Sequence, residues 1–278
     1  MRTLVHLSDL HFGRVDAAIV EPLVAQIAAI APDAVVVSGD LTQRAKADEF
    51  RQARAFLDRL PRPQIVVPGN HDVPLYRVWE RFLSPFGKYR RLVDNELEPQ
   101  YVDDEMAIIG INTARSLTFK GGRINEEQVE AIHRRLEPLD QRLMKLVVTH
   151  HPFDLPDDPG KSDDLVGRAR MAMETFGRCG VDLLLAGHLH ASQAGDTADS
   201  DPHGGFSALA VQAGTATSTR GRGESNSFNA LRLDAGEVVV ERHVWQPEQL
   251  TFAVERVERF RRTEGRWRDL GPARPIKD

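Results

Sequence analysis

Five times along this sequence an apolar, strand-like run stops at a cluster of small and ionisable residues, and that recurrence constrains the fold more than any other feature. Residues 4–8 run into Asp9-Leu10-His11, residues 34–37 into Gly39-Asp40, and residues 65–67 into Gly69-Asn70-His71-Asp72. Residues 145–149 end at His150-His151-Pro152, and residues 182–186 at Gly187-His188-Leu189-His190. Short β-branched runs bounded by such turns read as buried strands. Between the first three lie helical stripes: Leu23, Val24, Ile27 and Ile30, then Phe50, Ala53, Leu57 and Leu60 over about residues 46–60. Pro22 fits the first turn of the earlier helix. Strand–helix–strand–helix–strand is the rhythm of a parallel sheet, whose ligands gather at the strands' carboxyl ends.

The rest of the chain gives coarser signals. A short helix around residues 76–83 leads into a charged stretch to Pro99, and residues 101–102 with 106–111 read as a hairpin. Asn125 and Gln128 make a capping-box start for a helix through Val129, Ile132 and Leu136. Residues 154–163 and 195–205 are small and polar, hence loops, with a helix over about 165–178 between them. Runs at 207–212, 228–233 and 238–244 alternate and look antiparallel. Beyond Pro247 the pattern fits neither helix nor strand cleanly. With no repeat or linker, a single domain over 1–278 is expected, with a motif-bearing core at 1–245 and an extension at 246–278.

The net charge of −5 argues against stable nucleic-acid binding, which leans on a basic footprint. A lone cysteine, Cys179, excludes an intramolecular disulfide and fits a reducing compartment. No apolar run approaches the roughly 18 residues that cross a bilayer. Met1-Arg2-Thr3-Leu4-Val5 meets polar His6 at once, so no secretory signal is read. A cytoplasmic protein without a transmembrane segment is expected; oligomeric state leaves no trace in the sequence.

Candidate ligands at the strand ends are Asp9, His11, Asp40, Asn70, His150, His188 and His190. Residues two apart in extended backbone point the same way, so Asp9 and His11 are expected to reach one point. Imidazoles mixed with carboxylates suit manganese, iron or zinc rather than calcium. Seven ligands exceed one tetrahedral set, so two divalent or trivalent ions are expected. A bridging carboxylate would hold them roughly 3.5–4 Å apart, the spacing of two-metal hydrolytic sites. His151 reads as packed beside the site, and Ser8, His6, His133 and His243 as structural.

In this order, Asp-x-His, Gly-Asp, Gly-Asn-His-Asp, His-His-Pro and Gly-His-Leu-His resemble the calcineurin-like metallophosphoesterase superfamily. Within it the chain is similar to the bacterial class III cyclic-nucleotide phosphodiesterase and glycerophosphodiesterase branch. The resemblance implies an α/β fold, a four-layer αββα sandwich of mixed sheets flanked by helices. It implies that Asp9, His11 and His190 hold one metal, that Asn70, His150 and His188 hold the second, and that Asp40 bridges. His71 is implied as the catalytic residue that stabilises the transition state or protonates the leaving oxygen, with Asp72 orienting it.

The activity so implied is hydrolysis of a small phosphodiester by a hydroxide bridging the metals. A cyclic nucleotide is the first substrate expected, a glycerophosphodiester or phospholipid headgroup the next. The rivals are a phosphomonoesterase on a small metabolite or phosphoprotein, and a metal-bearing scaffold that binds protein. For substrate contact the candidates are Asn70, His71, Asn112 at the end of its strand, and Arg222, which with Arg220 could clamp a phosphate. A loop cap competes for Asn112, and a solvated loop for Arg222. The arginines at 256, 259, 261 and 262 alternate with glutamates and read as a solvated face.

Overall fold

The apolar runs pair into two mixed sheets. The structure is a computed structural model that describes residues 1–118, 121–154, 165–200, 206–219 and 224–272. In the first sheet β1 (Arg2–Leu7), β2 (Ala34–Ser38) and β3 (Gln64–Val67) are parallel. Their crossovers carry helices α1 (Ala17–Ile30) and α2 (Ala47–Leu57), and the short α3 (Val78–Leu83) and α4 (Gly87–Leu92) follow β3. In the second sheet β5 (Met106–Gly110), β6 (Met144–Val148), β7 (Leu183–Ala186) and β9 (Leu209–Gln212) are parallel. Antiparallel β4 (Gln100–Val102) and β8 (Gln193–Asp196) close its two edges. The first sheet continues beyond β1 as an antiparallel meander: β10 (Ser227–Asp234), β11 (Glu237–Gln246), β12 (Thr251–Thr263) and β13 (Arg266–Pro272).

Alternation along the strands builds three apolar layers. Leu4, Val36, Ile65 and Val67 turn inward onto Ile108, Leu146, Val148, Leu183 and Leu185, which fills the space between the sheets. Val5, Leu7, Val35 and Val37 face the other way, onto Leu23, Ile27, Phe50 and Leu57 of α1 and α2. Across the molecule Ile109, Val147 and Leu184 pack on Val129 and Ile132 of α5 (Glu126–Leu136) and Phe176 of α6 (Ala169–Cys179). Helix, sheet, sheet, helix is the four-layer arrangement expected. Each fully buried leucine or valine contributes about 1.5–3 kcal/mol relative to exposure, so the layers fix the strand ends against each other.

Several expectations change. Pro22 sits at the sixth position of α1 rather than in its first turn, because Asp16 caps the helix earlier by accepting from the Ala18 amide at 3.0 Å. The helix expected from about residue 165 begins at Ala169. Strand β8 and the short α7 (Thr197–Ser200) occupy the start of the 195–205 stretch expected as loop, and residues 201–205 lie outside the described ones. Most of the 154–163 loop also lies outside them. β9 runs parallel to β7, not antiparallel; four residues buried on both faces carry no directional signal. The Asn125–Gln128 capping box is present, with the Gln128 amide donating to Asn125 Oδ1 at 2.8 Å. Among the described residues no helix is long and apolar enough to cross a membrane.

Candidate metal centre

The carboxyl ends of β1, β2, β3, β6 and β7 meet along one edge of the sandwich, and the polar clusters meet with them. His11 Nε2 lies 3.4 Å from Asp9 Oδ1 and 3.7 Å from Asp40 Oδ2. His190 Nε2 stands 3.7 Å from the same Asp9 oxygen. On the other side His150 Nε2 lies 3.5 Å from Asp40 Oδ1 and 3.0 Å from Asn70 Oδ1. The His188 ring is 5.1 Å from that of His150. Potential ligand atoms of Asp9, His11 and His190 fall within 4.8 Å of one another, as do those of Asp9, Asp40 and His150 and those of His11, Asp40 and His71. Asp40 therefore offers one oxygen to each half of the cluster.

Convergence does not come from extended backbone. Asp9, His11, Asp40, His188 and His190 all have positive φ, at 53°, 49°, 50°, 73° and 60°. They make up half of the ten non-glycine residues with positive φ among the described ones. The left-handed region costs L-residues roughly 1–2 kcal/mol each, and such strain collects where a site over-determines the backbone. Two motif glycines are explained by close approach. A Cβ on Gly69 would stand 2.2 Å from Asp40 Oδ1, and one on Gly187 would stand 1.8 Å from Ser8 Oγ and 2.8 Å from Asp9 Oδ2.

A scaffold of backbone and hydroxyl groups aims the ligands. The Ser38 carbonyl lies 2.8 Å from His150 Nδ1 and can only accept, so Nδ1 carries the proton and the Nε2 lone pair of the neutral ring faces the centre. Thr215 Oγ1 bonds His190 Nδ1, and Thr113 Oγ1 lies 2.9 Å from His151 Nδ1. Asp9 Oδ2 accepts from Ser8 Oγ at 2.7 Å and from the His188 amide at 3.0 Å. His71 donates its amide to Asp40 Oδ1 at 2.8 Å. The Asp72 carboxylate gathers the amides of Gly69, Leu41 and Thr42 and the Thr42 hydroxyl, at 2.9–3.1 Å. These bonds fix the 40–43 loop, whose Gln43 carbonyl lies 3.0 Å from His71 Nδ1.

Two features fit cations. Asp9 Oδ1, fully buried, has no hydrogen-bond partner among the described residues, although two imidazole nitrogens lie within 3.7 Å. His150 Nε2 and Asn70 Oδ1 face each other at 3.0 Å as two acceptors when the imidazole is neutral, a contact that a shared cation turns from repulsive to attractive. Burial alone would raise the Asp9 carboxyl, but its close contact with His11 and the positive charge that His190, His150 and His11 carry when protonated hold it well below the usual carboxylate range. Asp40 is likewise lowered, against its burial, by His150, His71 and His11. Burial, then the Asp40 charge, push Asp72 up to about 6 against its four hydrogen bonds. Burial and His150 bring His188 down to about 4, so it is neutral and able to coordinate at physiological pH.

Other residues singled out in the sequence have contacts of their own or lie outside the described residues. Asn112 Oδ1 accepts from the Ala114 amide at 3.0 Å, which is the loop cap that competed with a substrate role. Arg220 and Arg222 lie outside the described residues. His151 packs its ring 4.7 Å from His150 and 4.6 Å from His188, and a nitrogen of each of the three lies within 4.8 Å of the others. The site also uses Thr42, Gln43, Thr113 and Thr215, which no sequence motif covers. The first two directly follow Gly39-Asp40-Leu41 and could have been suspected from that alone. Thr113 and Thr215 sit after strands without a motif, and nothing local marks them.

The family model for calcineurin-like phosphoesterase matches residues 2–192. A probable glycerophosphodiester phosphodiesterase GpdQ of Arcobacter nitrofigilis is 26% identical over 162 residues, covering 57% of this chain and 57% of that protein. A glycerophosphodiester phosphodiesterase GpdQ of Enterobacter lignolyticus is 39% identical over 80 residues, 25% of this chain and 29% of the relative. A probable cyclic nucleotide phosphodiesterase of Synechococcus sp. is 26% identical over 121 residues, 44% and 43% of the two chains. The chain thus spans little more than half the length of the curated relatives it matches, or less. Among solved structures, a purple acid phosphatase of yellow lupin superposes with a TM-score of 0.67 at 13% identity, covering 87% of this chain and 51% of that one. GAP50 of Plasmodium gives 0.62 at 12%, covering 92% and 87%. These two speak for the fold alone. A family match over residues 2–192, carried on a four-layer sandwich with this cluster at its strand ends, makes the chain a member of the calcineurin-like phosphoesterase family.

Proposed function

We propose that the protein is a dinuclear metal-dependent phosphodiesterase acting on a small diester, a cyclic nucleotide or a glycerophosphodiester. Asp9, His11 and His190 would hold one ion, Asn70, His150 and His188 the other, and Asp40, with one oxygen toward each group, would lie between them. Bound there, the ions supply Lewis acidity and a water acidified enough to attack phosphorus at neutral pH. The chain supplies the rest. Ser38, Thr215 and the Asp9 contacts keep the ligand nitrogens and oxygens aimed inward, which spares reorganisation when charge builds on the phosphoryl group.

The observation that carries the diester reading is the setting of His71. Its Nδ1 is committed to the Gln43 carbonyl at 3.0 Å, and a ring nitrogen lies within 4.8 Å of ligand atoms on His11 and Asp40. Protonated, the ring can deliver the Nε2 proton to an alkoxide leaving from phosphorus, which a poor leaving group such as a ribose or glycerol oxygen requires. Relatives named as glycerophosphodiester and cyclic nucleotide phosphodiesterases support the same class.

The test is a paired assay on metal-depleted protein reloaded with Mn²⁺, comparing bis(p-nitrophenyl) phosphate with p-nitrophenyl phosphate. Strong preference for the diester is expected, followed by turnover of a cyclic nucleotide or a glycerophosphodiester. Preference for the monoester would replace this reading with a phosphatase. Inactivity on every ester with both metals verified in place would turn it into a metal-bearing scaffold.

A further inference from the structure

Apolar surface is gathered in one place. Of the eleven large apolar side chains exposed among the described residues, seven lie in residues 75–83 or at Leu117. Trp79 is 81% exposed, Leu117 80%, Leu83 78% and Tyr76 75%. The two segments are joined by a buried cation. Arg81, only 4% exposed on α3 (Val78–Leu83), donates to the carbonyls of Ser116 at 2.6 Å, Pro74 at 3.1 Å and Thr118 at 2.8 Å. A guanidinium committed to three carbonyls fixes α3 against the 113–118 loop. The outward direction of Trp79, Phe82 and Leu83 is therefore built in.

This face starts three residues after Asp72, beside the candidate metal centre. Arg44, next to the Gln43 that holds His71, donates to the Tyr76 hydroxyl at 2.7 Å and stacks 5.2 Å from its ring centre. A cavity of about 530 Å³ opens between them. Arg44, Lys46, Arg77 and Lys88 line it, against one carboxylate, Asp48. Glu80 bonds both Arg77 and Lys88, Lys46 lies 3.9 Å from the buried Glu49, and Arg51 bonds Asp48, so five cations meet three carboxylates here, an excess of two positive charges on a chain whose net charge is −5.

We propose that the face formed by residues 75–83 and Leu117 docks the protein on an anionic phospholipid surface, with the mouth of the metal centre toward the headgroups. Aromatic and aliphatic side chains projecting among cations are the composition that settles at a charged lipid interface. Large apolar side chains exposed together on two linked segments mark an interaction site, and the charge decides its kind. A two-fold dimer through this face would set one positive surface against a second copy of it, whereas a lipid surface supplies the opposite sign. Lipid binding stands on this geometry alone. That the phosphodiester of a phospholipid headgroup is then the substrate rests on the phosphodiesterase reading above.

The experiment is co-sedimentation with sucrose-loaded vesicles of equal parts phosphatidylglycerol and phosphatidylcholine, with pure phosphatidylcholine as the contrast. Of the three tryptophans, Trp245 and Trp267 are 6% and 3% exposed, so quenching by brominated acyl chains reports Trp79. Anionic vesicles should carry the protein down and quench its emission. Trp79→Glu combined with Leu83→Glu should weaken the partition about tenfold or more, and Leu117→Glu, on the other segment, should weaken it too. These side chains face solvent, so the variants should keep the wild-type melting temperature. The proposal is overturned by equal binding to neutral vesicles, by no binding, by binding that the variants retain, or by a lipid-free dimer that they abolish. None of these readouts needs turnover, so failure of the soluble diester assay would remove the headgroup substrate and leave the docking result standing.

Discussion

His71 Nδ1 lies 3.0 Å from the main-chain carbonyl oxygen of Gln43, and this contact sets the tautomer of the ring. A carbonyl accepts only, so Nδ1 keeps its proton and Nε2 is the nitrogen that exchanges one. On the function proposed above, a ring so held would serve as a proton donor to a leaving alkoxide. His71→Ala should therefore keep full metal content and lower kcat by about 10²–10⁴ on a diester with an alkyl leaving group. The loss should be far smaller with p-nitrophenolate, which departs without a proton. Equal losses on the two substrates would remove the acid role from His71.

Asp40 is the residue through which the two halves of the cluster communicate, with Oδ2 3.7 Å from His11 Nε2 and Oδ1 3.5 Å from His150 Nε2. Asp40→Ala should release both ions and abolish activity, because each half loses an oxygen and the His71 amide loses its acceptor. Elemental analysis of dialysed protein measures this. One ion retained per chain would mean that the halves bind independently and that Asp40 does not lie between two metals.

Gly187 tests how closely the site is packed. A Cβ there falls 1.8 Å from Ser8 Oγ and 2.8 Å from Asp9 Oδ2, and both belong to the hydrogen-bonded floor beneath Asp9. Gly187→Ala must push Ser8 or the 187–190 turn aside. The expected results are a loss of about 1–3 kcal/mol in unfolding free energy and weaker metal retention, read by urea titration and by metal competition with a chelator. A variant that keeps the wild-type unfolding midpoint and metal content would show that the turn relaxes freely.

Strand ends were legible in the sequence because a buried parallel strand is a short uninterrupted apolar run, and polar residues packed after such a run have few reasons to be there. Three things were not legible. The left-handed φ values of Asp9, His11, Asp40, His188 and His190 bring the ligands together, and although Asp and His enter that region more readily than most residues, nothing local marks these five for it. The tail after Pro247 is the β12–β13 pair, but register irregularities at Arg242/His243 and between Glu258 and Phe260 break the period of two. Its buried residues Phe252, Val257 and Phe260 consequently fall at spacings that suit neither element. The hydroxyls behind the histidines, Thr113 and Thr215, are recruited by tertiary packing across the sheets and leave no local pattern.

His6 gives the fold a measurable pH dependence apart from the metal ligands. It is fully buried on β1 with Nε2 2.8 Å from Ser38 Oγ, and burial, only partly opposed by the Asp9 charge, lowers its pKa from 6.5 to about 3. The sign follows from proton counting. Between pH 6.5 and about 3 the unfolded chain binds a proton at His6 that the native protein does not, so acidification through this window favours unfolding. The slope is roughly 1.4 kcal/mol per pH unit, or about 2–3 kcal/mol accumulated by pH 4.5. His188, lowered to about 4, acts in the same direction, whereas Asp72, raised to about 6, opposes both between its unfolded and native values. His6→Gln removes one contribution and leaves the others, so the difference between variant and wild type isolates it. In chelator-treated protein, the gap in urea midpoint between about pH 7.5 and pH 5 should be narrower for His6→Gln than for wild type. Equal gaps would mean that His6 is protonated in the native state and that its burial has been offset by a partner.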